Sequence, residues 1–453
     1  MTTQAPSTVV VPSKIPPADP HAPHTPAAVR APRDRKPRLV GLDLARGLAV
    51  LGMFVAHTAA HSAVGSGNAV LDAALGLSNG RPSILFALLA GISLGILTGR
   101  PTRYTGDDAV RARVRVLVRA VILLGVAGVL AILDTPVALI LAFYAAWFMV
   151  VLPFAQRSVR WLFTTAALIA VFGPLLRWIL GVVTPVLGLT LETGNVNQFF
   201  VSTLVSGVYP GLSYLAVVFA GLGLSRLDLG ARRVQLRMVG VGALLAVLGY
   251  GVGLGGLMLS DSGAGDPGDK AAAYDAAADS PAGPASGIHA DPMDPAAMPQ
   301  PPGPAPKAVE GGTWEWFPTT PDADAADEAT QPAGLDLTGA HQLMIATPHS
   351  GSTWEILGSG GFGIALTGLL LMLPAAAGRL LAPLAAVGSM SLTAYSAHVI
   401  ALGLFPGMTT SASLWPGIGL VVGALGLCWA WRAAFGRRPL ERLMYTASMR
   451  ATR

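Results

Sequence analysis

Ten long apolar runs alternate with polar connections along this chain. They lie near residues 41–63, 81–99, 114–133, 136–154, 160–182, 207–225, 236–258, 355–375, 380–402 and 413–433. A helix that crosses a bilayer needs about 20 predominantly apolar residues, because each residue advances the helix by only about 1.5 Å. The pattern therefore predicts an all-α, polytopic membrane protein with about ten transmembrane helices.

The connections between the runs differ in their basic residues. Arg-rich connections at 30–38, 100–119, 157–160, 226–237, 379 and 432–453 alternate with connections nearly free of Lys and Arg at 64–80, 134–136, 183–206, 259–354 and 403–412. Short cytoplasmic loops of membrane proteins are enriched in Lys and Arg. We therefore predict that both termini lie in the cytoplasm.

The composition agrees with a chain embedded in a bilayer. The mean hydropathy is +0.57, and 52% of the residues are hydrophobic while 12% are charged. A soluble domain carries about 25% charged residues. The single cysteine, Cys428, lies in a late apolar run and allows no internal disulfide.

Two stretches lack the pattern of a packed fold. Residues 1–37 are Pro-rich and lack the features of a signal peptide, so we predict a disordered cytoplasmic tail. Residues 259–354 are largely of low complexity and predict an extracytoplasmic loop. This loop separates a front bundle of about seven helices, 38–258, from three C-terminal helices, 355–433, and a basic cytoplasmic tail, 434–453.

Arg46 and His57 lie in the first apolar run, in the segment RGLAVLGMFVAH. In a helix their interval is about three turns and ~16 Å of rise, and it returns to nearly the same face. Asp43, one turn before Arg46, and His61, one turn after His57, extend this stripe. Ionisable groups within spanning helices are costly and usually face a protein interior or a wet cavity. The stripe therefore predicts a functional site along the first helix.

Each residue of the stripe also has a structural interpretation. Arg46 suits a snorkelling anchor at the cytoplasmic interface, and Asp43 suits its i, i+3 partner. His57 suits an interior histidine that is hydrogen-bonded to a neighbouring helix. His61 suits an interfacial polar residue.

Five segments resemble known membrane proteins. RLVGLDLARGLAVLGMFVAH at 38–57 is similar to the first helix of the integral-membrane acyltransferases. SNGRPSILFALLAGISL at 78–94 and TPHSGSTWEILGSGGFGIAL at 347–366 resemble the bacterial heparan-alpha-glucosaminide N-acetyltransferase-like proteins. AVGSMSLTAYSAHVI at 386–400 and GRRPLERLMY at 436–445 resemble the C-terminal region of the YeiB-like family.

This resemblance implies a membrane acyltransferase, most simply of a bacterial plasma membrane. Such a protein moves an acyl group, an acetyl group first of all, from cytoplasmic acyl-CoA to a hydroxyl or amine of an extracytoplasmic glycan or glycolipid. Acyl-CoA is then a cosubstrate, no cofactor is permanently bound, and the lipid bilayer rather than nucleic acid is the partner. In this scheme Arg46 and Asp43 bind the donor, and His57 or His61 acts as general base or acyl carrier.

Further polar residues near the predicted outer face are weaker candidates for binding the acceptor or stabilising an oxyanion. They are Arg81, Glu192, Asn195, His349, Glu355 and His398. Arg81 also suits a loop cap, and Glu192 and Asn195 suit an ordinary interfacial loop. Glu355 suits an acid at a helix N-terminus, where the helix dipole favours it, or a partner that orients a histidine.

Histidines also raise the question of a metal site. His57, His61, His349 and His398 all fall near the predicted outer face, but only His57 and His61 stand at i, i+4. Because this spacing does not supply a ligand set, we predict no metal site.

A transporter or export partner for a cell-envelope component is the alternative to an enzyme. A transporter is expected to show inverted repeats and paired broken helices near the midplane. The arrangement of seven runs before the long loop and three after it shows no such symmetry.

Overall fold

The computed structural model describes residues 39–58, 69–100, 102–186, 201–261, 343–411, 413–436 and 438–452. Within these ranges the chain is helical and contains no β-strand, which confirms the predicted all-α class. Three candidate site residues, His61, Glu192 and Asn195, lie outside the described residues, as does the predicted N-terminal tail, 1–37.

The helices cover most of the described part. In chain order they are α1 Val40–His57, α2 Ala69–Ser78, α3 Arg81–Leu97, α4 Gly106–Ala131, α5 Ile140–Val151, α6 Val159–Val186, α7 Gly211–Ser225, α8 Arg232–Asp261, α9 Thr353–Leu371, α10 Ala375–Leu380, α11 Ala382–Ser389, α12 Ser391–Leu404, α13 Gly407–Thr410, α14 Trp415–Phe435 and α15 Pro439–Arg450. A 3₁₀ turn, Leu152–Phe154, extends α5, and a π-helical turn, Ser202–Ser206, precedes α7.

Seven helical segments of the described part are long and apolar enough to cross a membrane. They are Val40–His57, Leu75–Leu97, Gly106–Ala131, Val159–Thr184, Arg232–Gly256, Thr353–Leu371 and Trp415–Phe435. The apolar helices Ile140–Phe154 and Gly211–Ser225 are shorter. Within the described residues each of the ten predicted runs overlaps a helical segment. The number of about ten spans and the cytoplasmic location of the termini stay predictions.

The apolar pattern of the run 380–402 predicted one continuous helix, and this prediction is wrong, because the run forms two helices. α11 and α12 are bent by 83° at Met390, whose φ of −118° and ψ of 33° interrupt the helical geometry. Together the two helices are apolar enough to form one broken span, which raises the number of candidate spans in the described part to eight.

Close backbone contact holds α11 against α1. A Cβ added at Gly388 would lie 1.7 Å from the carbonyl oxygen of Asp43, and one added at Gly47 would lie 2.4 Å from that of Leu384. Small residues allow helices in membranes to approach in this way. The contact fixes the first half of the broken helix beside the stretch of α1 that carries Arg46.

The surface and the interior of the bundle differ as expected for a membrane protein. Large apolar side chains are exposed on α4, α6, α8 and α14, among them Val129, Phe172, Val247 and Leu427. In contrast α5 is buried on nearly all sides, with Trp147 fully enclosed. A helix that is apolar all round belongs in the interior, so the longer helices face lipid.

Contacts at the helix ends show that α3, α5 and α7 run in the same direction, with their C-terminal ends together. Arg226, just after α7, donates to the carbonyl oxygen of Gly99 after α3 and, at 2.7 Å, to that of Ala155 after α5. Burial lowers the pKa of the Arg226 guanidinium to about 10, so it stays charged at neutral pH. At the other end of α7, the Ser213 hydroxyl donates to the Gly351 carbonyl before α9 at 2.7 Å. Connections predicted on the same side of the membrane therefore contact one another.

Candidate functional site

Asp43 and Arg46 form the ion pair that their spacing predicts. Arg46 Nη1 lies 3.1 Å from Asp43 Oδ1, and Arg46 Nη2 donates to Ser93 Oγ of α3 at 3.0 Å. Ser93 in turn donates to the Leu89 carbonyl at 2.6 Å. The side chain of Asp43 is 7% exposed and that of Arg46 is 21% exposed. The guanidinium is therefore held between two helices of the bundle.

His57 closes the other end of α1 and contacts a second histidine. Its Nδ1 lies 2.9 Å from Nε2 of His398 on α12. Nδ1 of His398 lies 2.6 Å from the carbonyl oxygen of Tyr395, one turn earlier on α12. The two imidazoles are nearly parallel, with an interplanar angle of 13°. The structural interpretation of His57 predicted a hydrogen bond to a neighbouring helix, and this bond is present.

The second histidine is enclosed, whereas the first is more open. His398 is 2% exposed and stacks on Phe54 with a centroid distance of 4.4 Å. Tyr395 packs edge-on against it at 5.0 Å, and the Tyr395 hydroxyl accepts the backbone N–H of Ile140. His57 is half-buried. Of the two histidines, His57 is therefore the more exposed.

Glu355 fixes the turn before α9. Its carboxylate accepts the backbone N–H groups of His349 and Gly351 at 2.7 Å each. The hydroxyl of Ser352, the N-cap residue of α9, accepts the backbone N–H of Glu355 at 3.0 Å. Two roles were predicted for Glu355. These contacts are those of an acid at a helix N-terminus, because the carboxylate bonds the backbone of His349 and not its imidazole ring.

His349 has an unusual backbone conformation in this turn. Its φ is 62°, a region that non-glycine residues rarely adopt. Its ring packs edge-on against Tyr209 at 5.5 Å. Arg177 of α6 supports the same turn by donating to the Ser350 carbonyl at 2.8 Å.

The side chain of Arg81 joins α3 to two neighbouring helices. Its guanidinium donates to the Gly76 carbonyl of α2, and its Nε donates to the Tyr250 hydroxyl of α8 at 2.9 Å. Tyr250 also contacts the Ser359 hydroxyl at 2.9 Å. These contacts match the capping alternative for Arg81, and Tyr250 was not among the predicted residues.

The described contacts thus arrange the candidates in two groups. Asp43, Arg46 and His57 lie along α1, with His398 of α12 beside His57. His349 and Glu355 lie in the turn before α9 and at its start, and Gly80, next to Arg81, lies beside this turn. The sequence did not identify Ser93 as a partner of Arg46, because their contact joins positions 47 residues apart. The roles of all these residues in chemistry stay predictions.

Helices of membrane-spanning length, an apolar outer surface and polar side chains held inside the bundle define a multi-pass membrane protein. Residues 38–250 match the family model of the heparan-alpha-glucosaminide N-acetyltransferase catalytic domain. This stretch, a little under half of the chain, is therefore similar to that catalytic domain, as its resemblance predicts. It contains Asp43, Arg46, His57 and Arg81.

The part of the chain after residue 250 matches no known protein in these comparisons. No curated protein and no solved structure matches the chain. His349, Glu355 and His398 lie beyond the matched stretch. The resemblance of 386–400 and 436–445 to YeiB-like proteins stays a prediction.

Proposed function

We propose that this protein is a membrane acyltransferase that moves an acetyl group from cytoplasmic acetyl-CoA to a hydroxyl or amine of an extracytoplasmic glycan or glycolipid. One observation carries the proposal. The stretch that matches the family model of an acetyltransferase catalytic domain contains the helix α1, which carries a guanidinium towards one end and an imidazole at the other.

The donor suits the Arg46 end of α1. Coenzyme A carries phosphates, and a guanidinium binds phosphate oxygens through a planar fork of N–H donors. Asp43 and Ser93 orient this fork before a ligand arrives. The pantetheine arm is extended, and its length is comparable to the ~16 Å that three helical turns span between Arg46 and His57. A donor bound at Arg46 therefore brings its thioester towards His57.

The acceptor suits the His57 end. In the simplest scheme, His57 accepts the proton of the attacking hydroxyl or amine as the new bond to the acetyl carbon forms. The carbon–sulfur bond then breaks, and the leaving thiolate takes up a proton to give free coenzyme A. In the second scheme, the imidazole itself carries the acetyl group between donor and acceptor. Imidazole suits both, since it titrates near neutrality.

The bent pair of α11 and α12 is the one observation that favours the transporter alternative. Discontinuous helices bind substrates and ions in many secondary transporters. Those proteins carry such helices in pairs that are related by an internal repeat, whereas the described ranges contain a single bent pair. The family match favours the enzyme.

The proposal is tested by following labelled acetyl-CoA with purified protein in detergent, with and without candidate glycans. We expect His57→Ala to reduce turnover by about 10²- to 10⁴-fold, the usual cost of removing a general base, while binding of acetyl-CoA persists. His61→Ala is expected to be milder, and His24→Ala in the N-terminal region serves as the matched control.

Two results would change the assignment. Normal turnover in His57→Ala together with an inactive His61→Ala moves the active histidine by one turn. If neither the wild-type protein nor any variant consumes acetyl-CoA with any acceptor, the enzyme proposal is wrong.

A further inference from the structure

The contact between His57 and His398 determines where the protons of both rings lie. A carbonyl oxygen can only accept a hydrogen bond, so Nδ1 of His398, 2.6 Å from the Tyr395 carbonyl, carries a hydrogen. In the neutral ring Nε2 of His398 then has a lone pair. Because that nitrogen lies 2.9 Å from His57 Nδ1, the hydrogen between them belongs to His57. In neutral His57 the basic nitrogen is consequently Nε2.

The surroundings of His398 favour the neutral form of its imidazole. His398 is 2% exposed and lies between the ring of Phe54, at 4.4 Å, and the ring of Tyr395, at 5.0 Å. Burial among apolar groups disfavours an ionised side chain. The same two rings limit rotation of the imidazole, which keeps Nε2 directed at His57.

We propose that His398 is a positioning residue: its hydrogen bond to His57 holds that ring in the Nδ1–H tautomer and presents Nε2 as the base for acetyl transfer. This inference rests on the proposed function, and it extends the site beyond the matched stretch 38–250 to α12. When Nε2 takes a proton from the acceptor, Nδ1–H of the resulting imidazolium still donates to His398, which stabilises the charge. His398 itself gains and loses no proton in this step.

Two substitutions at position 398 separate positioning from packing. His398→Phe keeps a ring of similar size against Phe54 but removes the acceptor for His57 Nδ1. His398→Gln places an amide oxygen near the position of Nε2 and can keep accepting. We expect His398→Phe to lower kcat by about 10- to 100-fold, as when the partner that orients a metal-bound histidine is removed, with little change in KM for acetyl-CoA. His398→Gln is expected to retain most of the kcat.

A spectroscopic measurement tests the tautomer without any turnover. In protein labelled with ¹⁵N-histidine, the signals lost in His57→Ala identify His57, and their shifts show which ring nitrogen carries the hydrogen. We expect a protonated Nδ1 and an unprotonated Nε2 in the wild-type protein at alkaline pH. In His398→Phe we expect this preference to weaken.

The outcomes distinguish this inference from the proposed function. An Nε2–H tautomer of His57 in the wild-type protein overturns the positioning role, and so does a wild-type kcat in His398→Phe while His57→Ala is inactive. Absence of acetyl-CoA consumption in the wild-type protein overturns the proposed function, and the nitrogen shifts still decide the tautomer. If His398→Phe unfolds, the nitrogen shifts of His57 in the wild-type protein decide, since an Nε2–H tautomer there overturns the positioning role.

Discussion

Two pairs of Asp and Arg at i, i+3 in this chain differ in their surroundings. The Asp43–Arg46 pair is 3.1 Å apart and mostly buried, whereas the Asp108–Arg111 pair is 3.9 Å apart with side chains that are 72% and 56% exposed. Exposed pairs contribute only about 0–1 kcal/mol, while loss of one partner from a buried pair costs about 3–5 kcal/mol. Of the two pairs, the one on α1 is therefore the pair whose loss is expected to reduce stability.

Substitution of Arg46 tests its part in donor binding. We expect Arg46→Lys to keep the fold but to bind acetyl-CoA less tightly, because an ammonium lacks the planar fork that contacts Asp43, Ser93 and phosphate together. Arg46→Ala should bind more weakly still. Titration calorimetry in detergent measures both, with Arg111→Lys as the matched control.

Equal affinity of Arg46→Lys and the wild-type protein for acetyl-CoA would show that Arg46 is only an anchor. A loss of folding in Arg46→Ala alone would not decide the matter, which is why the charge-preserving variant is compared first.

At the scale of single residues, the sequence predicted contacts within a helix and missed those between helices. The pairing of Asp43 with Arg46 follows from helical geometry alone. The contact of His57 with His398 joins positions 341 residues apart, so only the packing of α12 against α1 creates it. The sequence placed both histidines near one face but contained no signal for their direct contact.

At the scale of elements, the start of α12 depends on the C-terminal helix. The first N–H groups of a helix have no acceptor within it. Glu441 of α15 accepts the N–H groups of Leu392 and Thr393 at 2.9 and 3.1 Å, and the Thr393 hydroxyl at 2.8 Å. A segment predicted as a basic tail thus caps the second half of the broken helix.

Glu441→Gln tests this cap. The amide keeps the shape of the side chain but loses the charge and part of its accepting capacity, so we expect a loss of about 1–2 kcal/mol of stability. The midpoint of thermal unfolding in detergent should fall, while Asp108→Asn, an exposed acid on α4, should leave it unchanged. Equal midpoints for the two variants would contradict a capping role.

The sequence also did not predict the break at Met390. The run 380–402 is apolar throughout, and composition alone does not distinguish a straight helix from a bent one. The close contact of Gly388 with α1 and the cap from Glu441 lie on either side of the bend, and both are contacts between distant elements.

At the scale of the whole molecule, the alternation of Arg-rich connections predicts which ends face the cytoplasm. Single cysteines introduced in a Cys428→Ser background test this prediction. Thr410→Cys and Asp228→Cys replace exposed residues on opposite predicted sides. In intact cells we expect a membrane-impermeant thiol reagent to label position 410, whereas position 228 should be labelled only after lysis. The reverse pattern would invert the topology.

The short length of α7 has a consequence for the path of the acetyl group. Gly211–Ser225 and Ile140–Phe154 are each about 22 Å long, against roughly 30 Å for the hydrocarbon core of a bilayer. Arg226 ties the ends of both helices to the end of α3, so the missing length falls at the opposite end, which is the end of the bundle where His57 lies.

There the turn before α9 takes the place of helix, and Glu355, Arg177 and Ser213 bond its backbone. Irregular backbone at membrane depth persists only where protein or water surrounds it. Under the proposed function, this turn forms a polar floor below the bilayer surface, and the distance between cytoplasmic donor and external acceptor shrinks by about a quarter. At this point the donor and the acceptor are separated by less than the thickness of the surrounding hydrocarbon core.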